Sequence, residues 1–171
     1  MKGYIQVYTG DGKGKTTAAL GLTLRAVGAG LKVYIAQFIK MGDYSEISAL
    51  ERLSDSVTVE QFGCGRFAKG RASEEDIALA GKGLSRIKDI FASGQYDVVI
   101  MDEANVAVSC ELFEVEALVD IMDSKPKNLE LIITGRNAPL PVIEKADLVS
   151  QVNAVKHYFQ NGVKARIGIE K

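Results

Sequence analysis

The sequence predicts an α/β fold: a mostly parallel sheet with helices on both faces, formed as a single domain over residues 1–171. Three observations carry that expectation. Strand-like and helix-like segments alternate along the chain. Two segments, 97–102 and 129–134, are almost continuously apolar, as strands buried on both faces require. A Gly-rich run joins the first strand to the first helix, where open α/β sheets bind their ligands.

Taken in order, Tyr4 to Tyr8 reads as a short β-prone strand, and Thr16 to Ala29 as a helix that Gly28 and Gly30 bring to an end. Lys32 to Phe38 is β-branched and aromatic, hence a second strand, followed by a polar stretch from Lys40 to Ser45. Glu46 to Leu53 suits a short helix and Val57 to Phe62 a third strand. Gly63 to Gly70 is too rich in glycine and charge to be regular and reads as a mobile functional loop. Ser73 followed by Glu74, Glu75 and Asp76 has the form of a capped helix start. Apolar residues from Ile77 to Phe91 then carry the helix to about Ala92. After the strand at 97–102, Glu114 to Asp123 is amphipathic, and Leu140 to Ala146 is a short helix marked by Pro139 and Pro141. Periodicity leaves the tail from Val155 unassigned.

Composition narrows the function. The chain has 171 residues, 47% of them hydrophobic and 25% charged, which fits a folded globular protein. Its 21 basic and 22 acidic residues leave a formal net charge of −1, unlike the basic surface of a dedicated nucleic-acid binder. The two cysteines, Cys64 and Cys110, build neither a disulfide framework nor a C-x-x-C metal cluster, so a reducing cytoplasm is the expected compartment. No apolar run reaches the ~18 residues of a membrane span, and no signal-peptide pattern opens the chain.

The strongest chemical feature is Thr9-Gly10-Asp11-Gly12-Lys13-Gly14-Lys15-Thr16-Thr17. Glycines let backbone N–H groups turn inward around phosphate oxygens, the helix N-terminus adds positive potential, Lys15 supplies charge and the Thr16 hydroxyl reaches a magnesium ion. The pattern G-x-x-x-x-G-K-[ST] calls for glycine where Thr9 stands, so the strict motif is not met. Asp102 and Glu103 end a buried strand, the place of the second acidic motif in a P-loop protein. Asp102 is therefore assigned to metal, and Glu103 to metal or substrate. Arg25 and Arg136 are candidates for phosphate contact, competing with a plain solvated charge at a helix or strand end. The lone histidine, His157, excludes mechanisms that need two imidazoles. Together these place the chain in a P-loop NTPase-like, RecA-like class.

The loop, Arg25 to Gly30, Gln37-Phe38-Ile39-Lys40, Met101-Asp102-Glu103, Ile132 to Arg136, Ala146-Asp147, and the tail blocks Val155-Lys156-His157, Gly162 to Ala165 and Ile167 to Ile169 together resemble the P-loop ATP:corrinoid adenosyltransferases. These are also named cob(I)yrinic acid a,c-diamide adenosyltransferases. The resemblance spans nearly the whole chain. It implies transfer of the 5′-deoxyadenosyl group of ATP to the cobalt of a reduced corrinoid, with release of triphosphate. It also implies a cytoplasmic homodimer, magnesium or manganese, and an electron-donating flavoprotein as partner. ATP is expected to lie with its ribose C5′ toward the nucleophile, which suits a loop lacking the first glycine. Carried over by residue, Gly10 to Thr16 match the triphosphate loop, Arg25 the helix arginine and Glu103 the metal or nucleotide carboxylate. Lys15, Glu103 and Arg25 are the expected catalytic set. Phe62 and Phe67 are the expected aromatic residues beneath the corrin, with the core as the competing place for both rings. Longer family members carry an N-terminal extension that can cover the site; here eight residues precede Thr9, so the cover is expected either to come from another segment or to be missing.

Two other functions compete. A small P-loop ATPase or kinase would cut between phosphates, and a nucleotide-binding switch module would signal occupancy to a partner. The kinase reading is weakened because two isolated cysteines cannot form the zinc ribbon usual in thymidine-kinase-like enzymes.

Overall fold

The computed structural model describes residues 2–65 and 72–170. In chain order it holds β1 (Ile5–Thr9), α1 (Lys15–Gly28), β2 (Val33–Phe38), α2 (Ser45–Glu51), β3 (Val57–Phe62), α3 (Glu74–Ser93) and β4 (Val98–Asp102). These are followed by α4 (Ala104–Ser109), α5 (Val115–Ser124), β5 (Glu130–Thr134), α6 (Leu140–Lys145), β6 (Leu148–Gln151) and a 3-10 turn (Tyr158–Asn161). The six strands form one sheet in the order β3-β2-β4-β5-β1-β6, with every pairing parallel. This is the expected α/β architecture.

Strand pleating divides the apolar residues between two cores, because successive side chains leave opposite faces of a strand. Tyr34, Ala36 and Phe38 of β2, Val99 and Met101 of β4, and Leu131 and Ile133 of β5 point to the side covered by α3, α5 and α6. Val33, Ile35, Val98, Ile100 and Ile132 point to the side covered by α1 and α2, where Ala19, Ala26 and Leu50 meet them. The same alternation, continued by one step, carries Gln37, Asp102 and Thr134 to the α1 side at the carboxyl ends of their strands. Burying polar groups there is tolerable only if they satisfy one another.

The expected cap of α3 is present. The Ser73 hydroxyl accepts from the Asp76 amide at 3.1 Å, the Ser73 amide donates to the Asp76 carboxylate at 3.1 Å, and Gly94 ends the helix at φ 61°. Two elements were not foreseen. α4 has only six residues, too few for a periodic signal. β6 is four residues long and wholly exposed, and exists because Gln6 to Thr9 of β1 offer it a parallel edge.

Phe62 takes the core, one of the two places left open for its ring. It lies in the core, 6% exposed, with its ring 6.0 Å from that of Phe38. Gly83 of α3 admits both rings, since a Cβ there would come within 2.8 Å of Phe38 and 2.9 Å of Phe62. Packed this way, the ring forms part of the interior. Phe67, and most of the loop expected over 63–70, fall outside the described residues. Phe62→Ala is accordingly expected to cost roughly 3–5 kcal/mol of folding stability, read from the denaturant midpoint. An unchanged midpoint would return Phe62 to the ligand face.

Candidate active site

Between β1 and α1 the chain turns through Gly10 at φ 96° and Gly14 at φ 126°, conformations that favour glycine. A strap from the far side sets the shape of this loop. Val152, just past β6, accepts from the Gly12 amide at 2.8 Å and donates to the Thr9 carbonyl at 2.8 Å. A Cβ on Gly10 would lie 2.5 Å from the Val152 oxygen, and one on Gly12 2.8 Å from it. Glycine at both positions is thus a packing requirement. Thr9 is explained by the same neighbourhood. It is buried, and its hydroxyl accepts from the Ala138 amide at 3.2 Å, tying the end of β1 to the segment after β5.

Gly14 is the N-cap of α1 and has open space on its Cα, and neither a side-chain cap nor an acidic residue stands in the first turn. The first amides of α1 therefore face the cavity with the positive end of the helix dipole behind them, a favourable place for an anion. Lys15 is buried, and its Nζ donates to the carbonyls of Gly10 at 2.6 Å and Gly12 at 2.8 Å. Burial pushes its ammonium below the usual lysine range, against the pull of Glu103.

Beneath the loop lies the Asp102 carboxylate, 1% exposed. Its Oδ1 accepts from the hydroxyls of Thr16 at 2.8 Å and Thr134 at 2.7 Å, and its Oδ2 from Lys40 at 2.9 Å and Gln37 at 3.4 Å. Thr134 in turn accepts from the Glu103 amide at 3.0 Å. Glu103 sits at φ 61°, a left-handed conformation uncommon for a residue with a Cβ. The Glu103 side chain lines the cavity, and burial followed by the nearby Asp102 charge raises its carboxyl above the ordinary glutamate range.

The cavity has a volume of about 970 Å³. Asp11 to Thr17 line it, as do Lys40, Glu46, Glu103 and Arg136. Residues of the tail, including His157, Phe159, Gln160 and Ile169, border it too. Lys13 fastens the loop to the tail, its Nζ donating to the Ile169 carbonyl at 2.9 Å. The tail thus contributes lining to the cavity.

The structure therefore brings together Gly10 to Thr17, Asp102, Glu103 and Arg136. Arg25 stands apart, exposed in the last turn of α1. Ten residues separate it from Lys15, about 15 Å along the helix axis. Its charge there complements the carboxyl end of the dipole. Sequence reading missed Gln37, Lys40 and Thr134 as partners of Asp102, and the tail as lining. The signal for the first group was available: each stands at or just after the carboxyl end of β2 or β5, the strands that flank β4 and Asp102.

Thr16, Asp102 and Glu103 offer only hard oxygen donors, a set that suits magnesium or manganese. Among the described residues no group of three or more His, Cys, Asp or Glu is placed to hold a metal. An ion here would complete its shell with phosphate oxygens and water, as magnesium usually does at nucleotide sites.

A glycine cradle at a strand-to-helix junction, with a buried acid two strands away in the sheet, defines a P-loop nucleotide-binding protein. Solved structures agree on the fold. A KaiC-like protein of Pyrococcus horikoshii matches with TM-score 0.62 at 15% identity, over 89% of this chain and 73% of that one. The flagellar accessory protein FlaH of Methanocaldococcus jannaschii matches with TM-score 0.61 at 12% identity, over 88% and 71%. The sequence goes further than the fold: the chain belongs to the ATP:corrinoid adenosyltransferase BtuR/CobO/CobP family, whose profile matches residues 1–170. It is 38% identical to the corrinoid adenosyltransferase of Escherichia coli K12, over 99% of this chain and 86% of that protein. It is 36% identical to the corrinoid adenosyltransferase CobA of Salmonella typhimurium, with the same coverages. An uncharacterized protein of Nostoc sp. is 38% identical over 97% of this chain, which spans 47% of that protein's length.

The raised Glu103 carboxyl gives a signed prediction. A glutamate whose folded pKa exceeds its unfolded value adds stability that is present below the unfolded pKa and lost as pH rises through the folded one. Glu103→Gln is therefore expected to raise the thermal midpoint relative to the native chain at neutral pH, the difference vanishing below the ordinary glutamate range. Melting curves across pH check it, and a difference that persists at low pH would contradict it.

Proposed function

We propose that this chain transfers the 5′-deoxyadenosyl group of ATP to the Co(I) of a reduced corrinoid and releases inorganic triphosphate. The match to the adenosyltransferase family over residues 1–170 carries the reading, and the phosphate cradle gives it a mechanism. Co(I) is itself a strong nucleophile, so attack on C5′ of the ribose requires no protein base, which suits a chain with one histidine. What the step requires is alignment of C5′ with cobalt and stabilisation of the charge that grows on the leaving triphosphate. Lys13, Lys15 and the first amides of α1 face that charge, and Arg136 lines the same cavity.

In this reading Gly10, Asp11, Gly12, Lys13, Gly14, Lys15, Thr16 and Thr17 hold the triphosphate, with C5′ directed away from the loop. Thr16, Asp102 and Glu103 would hold a magnesium or manganese ion, whose part is to neutralise phosphate charge. One domain over residues 1–171 acts as a homodimer in the cytoplasm. The exposed edge strand β6, with Leu148 and Val149 both exposed, favours self-association. The free thiols Cys64 and Cys110 favour a reducing compartment. Among the described residues no helix is long and apolar enough to cross a membrane. Reduction of Co(II) to Co(I) needs an electron donor, for which an electron-donating flavoprotein is the proposed class.

The test follows chemically reduced cobalamin anaerobically with ATP and magnesium, by the change in corrinoid absorbance. The native chain is expected to convert it, and a folded Lys15→Ala protein to be slower by at least a hundredfold or so. Full activity in that variant would remove the loop from the mechanism.

A further inference from the structure

Lys40 is a cation seated where a second cation is expected. Its Nζ is 2.9 Å from Oδ2 of Asp102, a carboxylate 1% exposed. The Thr16 and Thr134 hydroxyls occupy the other oxygen. Lys40 also has a second partner on the cavity side, Glu46 at 3.7 Å, and its Nζ lies 5.5 Å from the centre of the Tyr44 ring. Lys40, Glu46 and Glu103 all line the same cavity as the phosphate loop. The residue that delivers Lys40, Ile39, has φ 69°, a conformation strained for a β-branched side chain, and it sits directly after β2.

Leaving a buried carboxylate without a counterion is costly, and so is moving an ammonium away from one without an anion to receive it. Each move is inexpensive only if the other partner arrives: a divalent cation for Asp102 and a polyphosphate for Lys40. We propose that Lys40 is a resident counterion that passes from Asp102 to the triphosphate as the metal enters, so that cation and nucleotide bind cooperatively. It is a positioning residue for both. The inference rests on the reading of this cavity as a metal–triphosphate site, but not on adenosyl transfer. Because coupling between two ligands is reciprocal, it is measurable from either one.

The experiment is titration of the full chain with Mn²⁺, followed by loss of the free-ion electron paramagnetic resonance signal, with and without inorganic tripolyphosphate, each arm read against a protein-free titration at the same tripolyphosphate concentration. Lys40→Met is expected to bind Mn²⁺ alone about tenfold more tightly than the native chain and to show an enhancement by tripolyphosphate about tenfold smaller. Lys40→Arg, which keeps the charge, is expected to restore the native pattern. Should Lys40→Met fail to fold, as judged by circular dichroism, Lys40→Gln takes its place with the same expectations. Unchanged Mn²⁺ affinity together with undiminished enhancement in a folded, uncharged variant would overturn the proposal. No corrinoid or turnover enters the assay, so failure here and failure of adenosyl transfer are separately visible.

Discussion

The site depends on one buried carboxylate. Asp102 at the end of β4 is reached by Thr16 from the start of α1, by Thr134 from β5, and by Gln37 and Lys40 from the end of β2 and just beyond. Three segments that are distant in sequence thus converge on two oxygen atoms. A charge this deeply buried is tolerated only with its donors in place, so the carboxylate fixes where the phosphate loop begins its helix relative to the sheet. Strand pleating supplies the precondition, because Gln37, Asp102 and Thr134 all fall on the α1 face.

The second constraint acts on the loop from the other side. Val152 holds Gly12 and Thr9 by backbone hydrogen bonds, and Lys13 reaches the tail at Ile169. The cradle is therefore clamped between the carboxylate below and the chain that follows β6. This accounts for the departure of the loop from the strict motif. Thr9 does not face the phosphate space; its hydroxyl is committed to Ala138 on the neighbouring segment.

Much of this was legible in the sequence. The buried strands β4 and β5 announced themselves as continuous apolar runs, α3 by its capping sequence, and the loop by glycine spacing, because each signal is local. β6 and the partners of Asp102 were not legible in the same way. β6 has no apolar alternation and is defined by the edge that β1 offers it, while Lys40 meets Asp102 across 62 residues through a strained Ile39. Phe62 was open between a ligand surface and the core, and the placement of Gly83 shows that the ring is interior. Arg25 matched a family position by sequence, yet helix geometry carries it away from the cavity.

The central claim is that this loop holds a triphosphate as a leaving group and not as a donor of its terminal phosphorus. Phosphorus NMR of the products, after anaerobic incubation of the chain with ATP, magnesium and reduced cobalamin, tests it most directly. The account predicts intact triphosphate in amounts equal to the adenosylcobalamin formed. ADP and orthophosphate with the corrinoid unchanged would contradict it and would assign the loop to ordinary phosphoryl chemistry.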